Sequence, residues 1–362
     1  MVEEGLSTES PFGWTIRICG GWAGGAWTLR NLAAKLGPMT PEVISAIDAI
    51  DVNMNKAGMD MINLVLAFVM FGVALGIKPS SFLDIFRKPI SMVVGVVCQI
   101  ILLPALTFLL TIVLRDYISP MIALGMILVA ACPGGNISNF ITSFSRGNIE
   151  LSVSLTAFNT AVCVFTTPLN FSFWGNLYLD FAQRRMVLPE LTIPFWDIFK
   201  TIVILLGVPL LLGCLCSRYL PKVAKKLKRP MQALSVVFFV IMIILTFGNN
   251  VEAFTKCIKY IFFIVLLHNL LALGIGYSAG TLFRLPNADR RTITIETGIQ
   301  NSGLGLVLLF NPAIFNPEIW AGNGGMVVIT AWWGIWHIVS GLTLAYLWRA
   351  FGRNGKASSY QV

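Results

Sequence analysis

The chain has 362 residues, of which 56% are hydrophobic and 12% are charged, and its mean hydropathy is +0.78. Soluble domains carry about 25% charged residues, so this composition excludes an ordinary soluble domain and indicates a membrane protein. The formal net charge is +9, but topology explains it, because membrane proteins concentrate Lys and Arg on the cytoplasmic side. Since no basic stripe alternates with exposed aromatic residues, we expect no nucleic-acid partner.

Residues 1–57 form a predicted N-terminal arm with no uninterrupted apolar run. Its first ten residues, MVEEGLSTES, are acidic and polar, so we expect no cleavable signal peptide. The next stretch, WTIRICGGWAGGAWTLRNLAAKLG, mixes tryptophans, basic residues and two glycine pairs. Two interpretations are open: an amphipathic segment at the membrane interface, or a flexible, partly disordered leader, since glycine pairs weaken a helix.

Nine segments are long and apolar enough to cross a bilayer, which takes about 20 residues in a helix. They predict an all-α polytopic protein with one membrane domain over residues 58–349 and a tail at 350–362. The connections are all short and leave no room for a soluble domain. The predicted segments are 59–77, 88–114, 119–144, 149–173, 197–216, 231–248, 258–283, 291–311 and 324–348.

The distribution of basic residues predicts an outside N-terminus and a cytoplasmic C-terminus. With nine crossings in that orientation, 16 of the 26 lysines and arginines lie in inside connections or the tail. Six lie in outside loops, and the other four lie in the arm. This asymmetry is what the positive-inside rule expects of a protein in the cell membrane.

The third and eighth segments contain helix breakers and polar residues in their middle. The first is broken by CPGGNISN (132–139), and the second by IETGIQNSGLGL (295–306), which includes Glu296. Lipid tolerates non-helical backbone only where protein or water surrounds it. A charged Glu at mid-bilayer costs at least about 2.5 kcal/mol on insertion scales. Paired interrupted segments in the two halves of a chain point to the binding site of a secondary transporter.

Each break suits a particular kind of ligand. The half-helix N-termini near Asn136 and Asn301 carry partial positive charge and favour an anion. The surrounding hydroxyl, amide and carboxylate oxygens favour a small hard cation. Ser152 and Thr156 share a helix face and extend this oxygen set, and Gln99 is a lone amide in an apolar segment. The alternative is a polar network that only joins helices: hydroxyls bonded within their own helix and an interhelical amide bond.

Other motifs favour packing over chemistry. GYSAG (276–280) fits the nucleophile-elbow pattern, with Asp289 and His337 downstream, but a true elbow needs a strand–turn–helix context. Here the motif lies in an apolar helical segment, so we expect no enzyme. His268 and His337 are not at metal-ligand spacing, and we expect interhelical hydrogen bonds from both. The seven cysteines have no zinc or disulfide spacing.

Four stretches together make the sequence resemble the bile acid:sodium symporter family: MFGVALGIKPSSF, CQIILLP, CPGGNISN…SRGNIELSVSLT and IETGIQNSGLGL. The resemblance runs from about Gly58 to Arg349. It implies an inverted-repeat transporter with panel and core domains, in which two discontinuous core helices cross at mid-membrane. It further implies two sodium ions (Na⁺) behind that crossing and a substrate in the cleft between core and panel.

Matching the family motifs residue by residue implies two cation sites that share Glu296. The resemblance assigns the first cation to Ser138, Asn139, Ser152, Thr156 and Glu296. It assigns the second to Gln99, Glu296, Gln300 and the backbone carbonyls near Thr297 and Ile299. The residues expected to face the substrate are Gly135, Asn136, Ile137, Asn301, Ser302 and Ile338.

The sequence departs from the family pattern in the substrate-facing region. Asn136 stands where family members often have Thr, and Ile338 stands where relatives commonly have Asn. Nine predicted segments resemble the animal members, whereas bacterial members often have ten; Asn301-Ser302-Gly303 resembles the bacterial ones. We therefore expect the substrate pocket to differ from that of familiar members.

The sequence thus predicts a monomeric sodium-coupled symporter of an organic anion, either bile-acid-like or a small carboxylate. It would work by alternating access in the lipid bilayer. Two alternatives are open: proton coupling through Glu296, or a non-transporting receptor or scaffold on the same fold. An intact set of candidate ligands for the first cation favours the symporter.

Overall fold

The computed structural model describes residues 40–48, 56–76, 89–183, 195–248, 251–311 and 322–351, together with positions 193, 314, 315 and 320. Within these residues the chain forms fourteen α-helices and two short π-helices, at Cys98–Leu102 and Val203–Gly207. The α-helices are α1 Pro41–Asp48, α2 Lys56–Ala74, α3 Pro89–Val97, α4 Leu103–Val113, α5 Pro120–Ala131, α6 Ile137–Phe144, α7 Ile149–Gln183, α8 Phe195–Ile202, α9 Val208–Tyr219, α10 Pro221–Gly248, α11 Val251–Leu282, α12 Asn287–Gly298, α13 Ser302–Leu309 and α14 Gly324–Phe351.

Five spans of the described helices are long and apolar enough to cross a membrane. Many large apolar side chains on them are exposed, among them Ile90, Leu109, Ile204 and Leu211. Exposed apolar surface on this scale is expected where lipid rather than water surrounds a protein. The five spans are Pro89–Val113, Ile149–Ala182, Ile198–Tyr219, Cys257–Leu282 and Gly324–Phe351.

The two breaks predicted in the sequence are present. The helix over the third segment ends at Ala131 and resumes at Ile137, and the helix over the eighth ends at Gly298 and resumes at Ser302. Gly134 and Gln300 pair as an isolated antiparallel bridge. The non-helical segments 132–136 and 299–301 therefore meet, and we call this meeting point the crossing.

The crossing satisfies the backbone groups that the breaks release. The Gly135 N–H donates to the Ile299 carbonyl (2.9 Å), and the Asn301 N–H donates to the Pro133 carbonyl (2.8 Å). A hypothetical Cβ on Gly135 would lie 3.0 Å from the Gln300 carbonyl oxygen, so a glycine here permits the close approach. Buried backbone without such partners would be costly in a membrane.

The interrupted helices lie at the centre of the described membrane helices. Every residue of α5 from Ile122 to Ala131 is buried, as expected of a helix surrounded by protein on all sides. In α12 the buried set is largely polar and includes Asp289, Thr292 and Glu296. Helices α7, α11 and α14 pack around this pair, whereas α2 packs mainly against α9 and α10.

The GYSAG motif lies near the C-terminal end of α11, where it packs against α12. A Cβ on Gly276 would lie 2.7 Å from the Ile293 carbonyl oxygen, and one on Gly280 would lie 2.9 Å from Arg290 Cγ. These small residues permit close helix packing, and residues 276–280 have no strand–turn–helix context. His268, on the same helix, makes the expected interhelical bond through Nε2 to Thr107 Oγ1 (2.8 Å). The Nδ1 atom of His337 has no hydrogen-bond partner among the described residues.

Part of the predicted arm is helical. Helix α1 contacts α11 and α14, and its Ile47 side chain is fully buried. Residues 1–39 and 49–55 of the arm, and the tail after Phe351, lie outside the described residues.

Candidate cation and anion site

A buried carboxylate at the crossing collects three hydroxyl groups. Glu296, on α12, is 2% exposed. Its Oε1 accepts from Ser138 Oγ (2.7 Å) and from Ser152 Oγ, and its Oε2 accepts from Thr156 Oγ1 (2.9 Å). Ser152 Oγ also lies 3.0 Å from Asn139 Oδ1. The structure therefore joins all five side chains expected at the first cation site, and we call them the carboxylate cluster.

Three helices position the carboxylate cluster. Ser138 and Asn139 lie in the first turn of α6, directly after the first break, whereas Glu296 lies in the last turn of α12, directly before the second. Ser152 and Thr156 are one turn apart on α7 and therefore share a face. Breaking both central helices at the same level is what brings these oxygens within hydrogen-bonding distance.

The two glutamines expected at the second cation site form a pair. Gln99 Nε2 donates to Gln300 Oε1 (2.6 Å) and to the Cys132 carbonyl (3.3 Å). Gln300 Nε2 donates to the Thr297 carbonyl (2.8 Å) and to Gln99 Oε1 (3.3 Å). Both side chains are buried. We call this set, with the carbonyls of Thr297 and Ile299, the amide cluster.

Gln99 lies in the π-helix between α3 and α4. A π-helix is a local widening that is frequent at functional sites, and this one precedes Pro104, which has no backbone N–H to donate. It carries Gln99 to the carbonyl end of α5.

The two clusters are neighbours across Gly134. A Cβ at Gly134 would lie 3.4 Å from Glu296 Oε2 and 3.7 Å from the Ile299 carbonyl oxygen. A carboxylate oxygen and a backbone carbonyl thus approach the same point of the first break. The side chains and carbonyls of both clusters are hard oxygen donors with one formal negative charge, which suits a small hard cation rather than a transition metal.

The six residues expected to face the substrate lie at or near the crossing. Gly135 donates its N–H to the Ile299 carbonyl at the crossing, Asn136 is exposed at the start of α6, and Ile137 packs against the buried Ile141–Ile295–Ile299–Ala345 cluster. Asn301 caps α13, its Oδ1 accepting from the Leu304 N–H (3.1 Å), and Ser302 is buried beside it. Ile338 is half-buried on α14, three residues before Gly341, where that helix meets Ile299.

A cavity of about 270 Å³ opens beside the crossing. It lies between α2 and α10 on one side and α6 and α7 on the other. Of the six residues expected to face the substrate, Asn136 is among its described lining residues. The lining residues are Val73, Gly76, Asn136, Asn139, Phe140, Val153, Thr156, Ala157, Thr160 and Lys228.

The cavity reveals a residue that the sequence analysis used only for topology. Lys228, on α10, is half-buried and is the charged residue among the described lining residues. Its position in a cluster of basic residues before an apolar run gave no sign that it turns inward. Asn139 and Thr156 line the same cavity and belong to the carboxylate cluster, so the cavity reaches that cluster.

Comparison with known proteins decides the family. The sequence profile described as the Sodium Bile acid symporter family matches residues 63–257. The chain belongs to this family. It is a family of transporters, which confirms that the chain is not an enzyme. With the apolar spans of the helices, membership makes it an integral membrane protein.

Several members of the symporter family are similar along most of this chain. An uncharacterized sodium-dependent transporter, YocS of Bacillus subtilis, is 30% identical over 298 residues, which cover 82% of this chain and 86% of that protein. A probable chloroplastic sodium/metabolite cotransporter, BASS1 of Arabidopsis thaliana, is 28% identical over 78% of this chain and 65% of its own length. The human ileal sodium/bile acid cotransporter is 24% identical over 67% of each chain.

Proposed function

We propose that this protein is a sodium-coupled symporter of an organic anion. The observation that carries the proposal is the carboxylate cluster, in which a buried Glu296 is surrounded by hydroxyl and amide oxygens from α6 and α7. A helix junction does not need a buried carboxylate between two broken helices. Oxygen donors with a single negative charge are suited to sodium.

The proposal places two sodium ions at the crossing, one in each cluster, with Glu296 shared. Each hydroxyl that donates to Glu296 keeps lone pairs for a cation, and Gln99 and Gln300 bring side-chain oxygens next to the Thr297 carbonyl. Two sodium ions moving with a monovalent anion carry a net charge of +1. At 100 mV this supplies about 2.3 kcal/mol per transport cycle.

An inverted repeat is supported by a matching pair of contacts. Gln99, on the helix before the first interrupted helix, donates to the Cys132 carbonyl at the end of α5. Asn269, on the helix before the second, donates to the Gly298 carbonyl at the end of α12 (2.8 Å). Each half of the chain thus caps its broken helix with an amide from the preceding helix, as two copies of one unit would.

Alternating access requires two groups of helices that move against each other. In our proposal α2, α8, α9 and α10 form the panel, and the helices around the crossing form the core. The nine-span arrangement and the outside N-terminus belong to the same proposal. The anion binds in the cavity between the groups, near Asn136 at the start of α6, where the helix terminus favours negative charge.

The deciding experiment is thermal unfolding of the purified protein in sodium chloride and in potassium chloride at equal ionic strength. A ligand at ten times its Kd stabilises the folded state by about 1.4 kcal/mol, so we expect a higher Tm in sodium. Glu296→Gln removes the charge that holds the cations and should abolish this difference. Proton coupling would instead give a Tm that depends on pH and is equal in both salts.

Asp289→Asn is the matched control. Asp289 is the other buried carboxylate of α12, and it accepts from Ser91 Oγ (2.7 Å) and Asn148 Nδ2 (2.7 Å) away from the carboxylate cluster. Its replacement should lower the Tm in both salts and leave the sodium-specific rise in place. A wild-type protein without any difference between sodium and potassium would contradict the proposed function.

A further inference from the structure

Asn159 is a buried amide without a described partner. It lies in the N-terminal third of α7 and is 2% exposed. Neither its Nδ2 nor its Oδ1 has a hydrogen-bond partner among the described residues. Burying an unpaired amide costs roughly 1–3 kcal/mol in proteins, and most buried polar groups are paired. An unpaired buried amide in a transporter core therefore requires an explanation.

The face of α7 that carries Asn159 also carries the cation ligands. Ser152, Thr156 and Asn159 are spaced i, i+4 and i+7, which places them on one side of the helix. Thr156 donates to Glu296 Oε2 (2.9 Å). Asn159 lies three residues further on, a rise of about 4.5 Å along the helix. Its amide is thus close to one helical turn beyond the carboxylate cluster.

The packing of α3 on α7 places Gln99, of the amide cluster, at the same level as Asn159. Ser91 and Asn148 both donate to Asp289, so the first turns of the two helices lie side by side. Further on, a Cβ at Gly95 would lie 2.7 Å from the methyl carbons of Leu155. The two contacts follow in the same order along both helices, which therefore run in the same direction. Four residues beyond the second contact are Gln99, in the π-helix after α3, and Asn159, on α7.

A contact further along the same face of α7 limits the position of Asn159 from its C-terminal side. Thr167 Oγ1 donates to the Ala131 carbonyl (2.9 Å) at the end of α5, and Gln99 donates to the next carbonyl, that of Cys132. Asn159 therefore lies between a residue bound to Glu296 and a residue bound to the edge of the first break. This is the interval in which the carboxylate and amide clusters meet.

We propose that Asn159 is a further cation ligand, whose side-chain oxygen links the two clusters. The inference rests on the proposed function and adds to it a residue that neither the family motifs nor the hydrogen-bond network assigns. An amide oxygen is a neutral hard donor, so it raises the coordination number without adding charge. A site with one carboxylate and several neutral oxygens suits a monovalent ion better than a divalent one. The bound cation satisfies the amide oxygen that is otherwise left without a partner.

Asn159→Leu tests the assignment, with thermal unfolding measured against sodium concentration at constant ionic strength. In potassium alone the variant should be as stable as the wild type or more so, because a buried unpaired amide has been replaced by an apolar group of similar size. In sodium we expect the concentration for half-maximal stabilisation to rise at least tenfold. A merely structural role for Asn159 would not separate the two salts in this way.

Thr167→Val is the matched control on the same helix face. It removes the hydrogen bond to the Ala131 carbonyl, so it should lower the Tm in both salts and leave the half-maximal sodium concentration unchanged. Asn159→Ser provides a second variant with a shorter polar side chain, which should also raise that concentration. Wild-type sodium dependence in Asn159→Leu or in Asn159→Ser would overturn the assignment. The absence of sodium stabilisation in the wild type would instead overturn the proposed function.

Discussion

Thr156 takes part in two features of the site at once. Its hydroxyl donates to Glu296 Oε2 (2.9 Å), and the same residue lines the cavity. Thr156→Val keeps the shape of the side chain and removes the hydroxyl. Because a carboxylate loses a donor, we expect a loss of roughly 1–3 kcal/mol of stability in potassium. We also expect a several-fold higher sodium requirement, since the proposed function makes the same oxygen a cation ligand.

Thr343→Val on α14 is the corresponding control. Thr343 is exposed, and its hydroxyl donates within its own helix to the Val339 carbonyl (2.7 Å), so its replacement should change neither the Tm nor its sodium dependence by much. Unfolding curves of the two valine variants, in sodium and in potassium, test this prediction. If Thr156→Val loses stability equally in sodium and potassium, Thr156 holds Glu296 in place without binding the cation.

At the level of elements, the contact between α11 and α12 fixes the helix that carries Glu296. A Cβ at Gly276 would lie 2.7 Å from both the Ile293 carbonyl oxygen and Thr294 Cα, which are backbone atoms with no freedom to turn aside. Gly276→Ala should therefore push α12 away and cost roughly 1–3 kcal/mol. The expected measurement is a lower Tm together with a weaker response to sodium, because Glu296 lies two residues after Thr294.

Gly274 offers a control two residues away on the same helix. A Cβ there would have no atom within 4 Å, and Ala is favoured over Gly in a helix by up to about 1 kcal/mol. Gly274→Ala should leave the Tm unchanged or raise it. Equal Tm values for the two alanine variants would show that the α11–α12 contact yields easily, and would remove the packing explanation for the GYSAG motif.

The interrupted helices were predictable, but the ends of the long helices were not. The first break is predicted by Pro133, Gly134 and Gly135 within an apolar run, and the second by Glu296 within another. Lipid tolerates neither non-helical backbone nor a charged side chain without compensation. In contrast, the fourth segment was expected to end at residue 173 and α7 continues to Gln183, while α10 begins at Pro221 rather than near 231. Hydropathy detects the part of a helix that suits lipid, whereas hydrogen bonding and packing extend the helix beyond it.

Some residues of the candidate site were likewise predictable from the sequence, and others were not. The carboxylate and amide clusters were predicted through a family resemblance, and their geometry agrees with that grouping. Lys228 and Asn159 were not predicted, because their significance depends on tertiary neighbours: a cavity between α10 and α6 for one, and the register of α3 against α7 for the other. Neither relation is encoded in a local pattern of residues.

At the level of the whole molecule, the cavity lies between the proposed panel and core, and its lining includes the positively charged side chain of Lys228. Lys228 is half-buried there, and a Cβ at Gly76 would lie 3.6 Å from its Nζ. The lining also includes Asn136 and Asn139. An anion in this cavity would meet a positive charge on α10 and the N-terminus of α6 on the opposite side. Its binding would thus draw the two groups together.

Lys228→Gln should weaken this attraction and leave the proposed sodium sites intact. For a partly exposed charge pair we expect a loss of about 1 kcal/mol, which is roughly a fivefold weaker anion affinity. The measurement is the Tm in saturating sodium, titrated with pyruvate as a small carboxylate and taurocholate as a bulky sulfonate.

Arg229→Gln is the control, because Arg229 is the next residue, carries the same charge and is exposed. If both glutamine variants bind the stabilising anion equally well, the general positive charge of this region attracts the substrate and Lys228 has no specific role. If Lys228→Gln alone is weaker, and the Tm rise caused by sodium persists, the panel contributes directly to anion binding.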